Sequence, residues 1–90
     1  MDEVNKAVKD NYGLSVLKVE RIKNVYKLYA DNGVYCLKPI KYVYGHFKFI
    51  LAAMEHLRNK GFDSVPPIIK TLKEDKHIVL SGTQAYLTPW

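Results

Sequence analysis

Apolar residues in this chain fall into two rhythms, and each rhythm marks a kind of element. Val4, Val8 and Tyr12 recur every fourth residue, which places them on one stripe of a helix over residues 2–12. Asp2 stands where a carboxylate can cap the first turn, and Gly13 marks the stop. Residues 15–22, 25–30 and 34–40 instead carry β-branched and aromatic side chains in loose alternation, which predicts three strands. Asp31-Asn32-Gly33 is a hairpin turn between the second and third, and Lys23-Asn24 a tight turn between the first and second. Pro39 has no N–H to donate, so the third strand is expected to lose regular pairing near it.

The helical rhythm returns over residues 44–60. Phe47, Ile50, Leu51, Met54 and Leu57 form one stripe suited to packing on a sheet. Gly61 is expected to end that helix. Pro66-Pro67 then forces extended backbone. Apolar runs at 68–72, 77–80 and 85–88 predict two or three more strands, with Glu74-Asp75-Lys76 and Ser81-Gly82-Thr83 as turns. Short turns imply antiparallel neighbours. The expected fold is α+β: an antiparallel five- to six-stranded sheet packed by one long helix plus a short N-terminal helix, as a single domain over residues 1–90.

Composition narrows the class. A chain that is 48% hydrophobic and 12% aromatic is too apolar to stay disordered. The net charge of +5, from 14 Lys/Arg against 9 Asp/Glu, would suit an anionic partner. The lysines are scattered, however, with no run of three basic residues, which argues for solvated surface charge and against a nucleic-acid partner. Cys36 is the only cysteine, so no internal disulfide forms, as suits a reducing compartment. The N-terminus lacks signal-peptide character, and no apolar stretch approaches the ~18 residues of a membrane span. These features lead us to expect a soluble, cytoplasmic chain with no membrane partner. His46, His56, His77 and Cys36 show no paired metal-ligand spacing, and neither a P-loop nor a serine nucleophile elbow occurs.

Lys38 carries the most specific chemistry. Period-two alternation puts it on one strand face with Val34, Cys36 and Ile40. An ammonium on an apolar face needs an anionic partner or an escape to solvent. Glu55, one turn after Leu51 at the edge of the helical stripe, is the candidate partner. Taken singly, each residue is more often an ordinary surface charge. Together, a strand lysine and a helix glutamate form the arrangement by which kinases hold the α- and β-phosphates of ATP.

Several segments extend that likeness in order along the chain: Tyr35-Cys36-Leu37-Lys38, the helical run from Phe49 through Glu55 to Leu57, Lys60-Gly61-Phe62, Val65-Pro66, and Tyr86-Leu87-Thr88-Pro89-Trp90. Together they resemble the N-terminal lobe of the spore coat protein S family, a branch of the aminoglycoside phosphotransferase and choline kinase superfamily. The resemblance covers nearly the whole chain. It implies a protein-kinase-like N-lobe with ATP as cofactor. Lys38 would contact phosphate and Glu55 would orient it. Cys36 would lie under the adenine ring, and Thr88 would stand near the hinge that meets the base. It also implies a spore-coat location and other spore-coat proteins as partners.

The same family keeps its catalytic aspartate and Mg²⁺ site in a second lobe, so these 90 residues are expected not to be catalytic alone. Surface left by the missing lobe would favour self-association. Two alternatives stand beside this reading: a non-enzymatic structural or interaction module of the spore coat, and a basic nucleic-acid-binding domain. The chain departs from the kinase pattern in three places. No glycine-rich loop separates the first two strands, Pro39 follows the lysine, and Pro89 sits near the hinge without an N–H.

Overall fold

A computed structural model describes residues 2–40, 44–62, 64–80 and 82–90; the side chains of Asp2, Tyr44, Gly45 and His46 also lie outside the description. The proposed Asp2 cap, Ser81 in the last turn and His46 as a metal-ligand candidate therefore fall outside the described residues. Seven elements follow in chain order: α1 (Asp2–Tyr12), β1 (Val16–Ile22), β2 (Val25–Ala30), β3 (Gly33–Ile40), α2 (Tyr44–Asn59), β4 (Ile78–Leu80) and β5 (Thr83–Pro89). The strands form one antiparallel sheet in the order β1-β2-β3-β5-β4. The α+β expectation holds, at five strands.

Two tight turns fix the first three strands. Ile22 pairs with Val25 across Lys23-Asn24, and Ala30 pairs with Gly33 across Asp31-Asn32. Gly33 takes a φ of 148°, a value that side chains avoid, so the hairpin uses its glycine. The first turn is different: Lys23, not Asn24, adopts positive φ.

The two helices cover opposite faces of the sheet. Residues paired across strands share a face. Leu28, Leu37, Ala85, Leu87, Ile78 and Leu80 line one face and pack with Val4, Val8 and Tyr12 of α1. Ile40 and Tyr86 line the other face and pack with Phe47 and Leu51 of α2. Among the described residues, the larger cluster thus lies under the shorter helix, whereas the periodicity alone points to the long one.

Two expectations need correction and one is met in part. Residues 68–72 form no strand, because only a single bridge, Ile69 to Leu87, joins them to the sheet. This extended segment meets β5 at that bridge, with Ile68 packed on the α2 side and Ile69 on the α1 side. Near Pro39 pairing is lost on one side only: β2 stops pairing at Leu37, while β5 carries the ladder on through Pro39 and Ile40. Leu57 is 40% exposed rather than part of the core, since it lies in the last turn of α2.

Helix α2 closes as Gly61 predicts. Phe62 N–H donates to Leu57 C=O and Gly61 N–H to Arg58 C=O, with Gly61 at φ 94°. That pair of bonds is the Schellman arrangement, which satisfies carbonyls otherwise left orphaned at a helix end.

Candidate functional site

Strand register decides which side chains stand together. Lys18 pairs with Tyr29, Lys27 with Cys36, Cys36 with Thr88, and Lys38 with Tyr86. All of them therefore share the face that Ile40 and Tyr86 present to α2. The apolar cluster under α2 takes in Ile40 and Tyr86; Thr88 is buried as well, whereas Lys18 is exposed and Lys27 and Cys36 are half-buried. A half-open sheet face remains, with Lys38 exposed at its middle.

Three of the four residues singled out by sequence meet here. Cys36 and Thr88 lie directly opposite each other, and Lys38 is two residues along from Cys36. Burial pushes the Cys36 thiol up, while the Lys38 charge and a hydrogen bond from Thr88 oppose that rise. Burial likewise raises the Tyr86 phenol, with Cys36 adding to the rise.

Glu55 does not join them. Its carboxylate pairs with Lys76 at 2.7 Å. A hydrogen bond from Lys76, then the charges of Lys76 and Lys70, hold that carboxyl below its usual range. The expected Lys38–Glu55 ion pair is thus replaced by a Glu55–Lys76 pair. Glu55 stands one turn beyond Leu51, and the chain entering β4 passes beside that stretch of α2, which brings Lys76 within reach.

Sequence reasoning did not bring together four neighbours on the open face, Lys18, Lys27, Tyr29 and Trp90. Lys27 Nζ lies 4.6 Å from the Trp90 ring centroid and 5.2 Å from that of Tyr29. Lys18 Nζ lies 5.5 Å from the Tyr29 ring. Trp90 is held by its N–H donating to Val34 C=O, which extends the β5 ladder one step past Pro89. Lys27 and Tyr29, two apart in a strand, were the available signal. Their pairing with Trp90 was not, because it joins residues 63 positions apart by direct subtraction (90 − 27).

Two grooves lie elsewhere. One of about 150 Å³ runs between Met54, Arg58 and the Pro66-Pro67 segment. The other, of about 350 Å³, lies between Lys48, Ala52 and residues 74–77. Neither includes Lys38, Cys36 or Thr88. Among the described residues, no group of three or more His, Cys, Asp or Glu could hold a metal ion. No described helix is long and apolar enough to cross a membrane. The two-residue β1–β2 turn leaves no backbone loop to wrap a phosphate.

Comparison with known proteins finds no matching protein-family model and no matching curated protein. Solved structures do match. Spectinomycin phosphotransferase in complex with ADP and spectinomycin superposes with a TM-score of 0.86 at 20% identity, covering 99% of this chain and 29% of that one. The AMP-bound complex of spectinomycin phosphotransferase gives 0.81 at 17% identity, covering 99% and 28%. An aminoglycoside phosphotransferase from Alicyclobacillus acidocaldarius gives 0.81 at 17% identity, covering 94% and 26%. The chain has the fold of the N-terminal lobe of aminoglycoside phosphotransferases, and spans less than a third of those chains.

Proposed function

We propose that this chain is the nucleotide-binding lobe of a kinase-like phosphotransferase, taking ATP or ADP on the open sheet face. One observation carries the reading: exposed Lys38 and half-buried Cys36, with buried Thr88 paired to Cys36, share one face of a sheet whose fold matches phosphotransferases solved with ADP and AMP. Lys38 supplies the exposed positive charge for the phosphates. Cys36 forms the floor on which the base lies, with buried Thr88 hydrogen-bonded to its sulfur from the next strand. Glu55 is the carboxylate that would orient Lys38 after leaving Lys76, a surface pair that costs little to break. Phosphotransfer needs a catalytic base and Mg²⁺ ligands as well, so the lobe alone binds without catalysing.

Within this class, membership of the spore coat protein S family is the narrower proposal, and with it a spore-coat location and partners. It rests on the ordered sequence segments alone, since no family model matches.

Titration with ADP, for wild type and Lys38→Ala, tests the main reading. A charge-assisted contact is worth about 1.5–3 kcal/mol, so the variant is expected to bind about ten-fold or more weakly. ADP is also expected to slow alkylation of Cys36. Equal affinity in both proteins, or binding by neither, would overturn the assignment.

A further inference from the structure

We infer that the open sheet face binds single-stranded nucleic acid, with Tyr29 and Trp90 stacking bases and Lys18, Lys27 and Lys38 meeting phosphates. This goes beyond the mononucleotide reading, because it draws on the β1–β2 side of the face and on Trp90.

The aromatic surface comes first. Trp90 is 53% exposed on an open face, where a large indole gains little from burial. Lys27 lies over both rings and Lys18 over Tyr29, so each ring offers a π face rather than an edge. The Tyr29 hydroxyl donates to Glu20 at 3.4 Å, which holds that ring in place. A nucleobase also has a π face and can take the ammonium's position, and the freed lysine then has a phosphate beside it. Sheets that carry exposed aromatics bind two or three bases of RNA in this way.

Charge agrees. The lysines at 18, 27 and 38 are far apart in sequence, but they stand on three adjacent strands about 4.8 Å apart. Glu20 is the acid beside them, paired with Lys18 at 3.8 Å. Three lysines less one glutamate leave this patch net positive. The chain as a whole carries +5, which favours approach of a polyanion. An acidic peptide would meet the lysines equally well but has no base to stack, so stacking separates the two.

The chain's only tryptophan makes the test direct. Trp90 fluorescence is followed while a deoxythymidine oligomer of about ten residues is added, a length within the usual site size. The expected result is quenching, with a slope of log K against log salt near −2 for three phosphate contacts. Lys27→Ala and Tyr29→Leu are each expected to weaken binding about five-fold or more. Lys9→Ala, on α1 across the sheet, is expected to change nothing. Circular dichroism checks folding, and if Tyr29→Leu fails to fold, Lys27→Ala decides. No quenching at low salt overturns the inference, as does equal quenching by dextran sulfate, which has no bases, or equal weakening by Lys9→Ala. Binding of ADP without the oligomer also overturns it and leaves the nucleotide reading intact. Binding of the oligomer without ADP supports it and removes the nucleotide reading.

Discussion

Tyr12 shows how burial acts on a single polar group. Its side chain is buried on the α1 stripe, and its hydroxyl has no hydrogen-bond partner among the described residues. Burial disfavours the phenolate and pushes the pKa up to about 12. The folded chain therefore keeps this proton where the unfolded chain, with a value near 10, has lost it. Stability from Tyr12 is full below about pH 10 and falls as pH rises towards 12. Tyr12→Phe removes an unsatisfied buried hydroxyl, so we expect it to match or exceed wild type by about 1 kcal/mol at pH 8. It is also expected to flatten the loss of stability between pH 10 and 12. Urea melts of both proteins at pH 8 and pH 11 check this, and an unchanged alkaline loss would assign it to other groups. The candidate site was legible at the same scale only in part. Period two alone put Cys36 beside Lys38, but Thr88 joined them only through register. Glu55 meets Lys76 here and not Lys38, because one residue's angle on a helix does not reveal which strand or loop it meets.

The first strand shows what period two cannot decide. Its alternation is loose because the register shifts between Val16 and Lys18, leaving Leu17 as a β-bulge. Without the extra residue, Val16 and Lys18 would share a face. With it, Val16 packs on the α1 core while Lys18 turns to the open face over Tyr29. Leu17 is left 74% exposed. A reading by hydrophobicity alone would place Leu17 inside. We expect Leu17→Lys to change stability by less than about 0.5 kcal/mol in denaturant melts. A loss above about 2 kcal/mol would mean that β1 pairs in another register. Strand existence and turn positions were legible because Gly33 and the Asp31-Asn32 pair act locally. The status of residues 68–72 was not, since an apolar run reads the same whether it pairs along its length or bridges once.

For the whole molecule, the decisive feature is that the helices lie on opposite faces, with the main core under the shorter one. Val8 is fully buried there, whereas Leu57 on the longer helix is 40% exposed. Val8→Ala is expected to cost about 2 kcal/mol, because it opens a cavity against the sheet. Leu57→Ala is expected to cost about 0.5 kcal/mol or less. Urea melts compare the two, and a reversed order would place the core under α2 instead. The sequence by itself determined the elements, their order and the positions of the turns, because periodicity and turn chemistry act between near neighbours. Only the tertiary structure decided which face each strand presents and which charge meets which. A bulge at Leu17, the register of β3 with β5, and the path of the chain past α2 into β4 are set by packing across the whole chain. Those three features gather scattered lysines onto one open face and turn Glu55 away from Lys38.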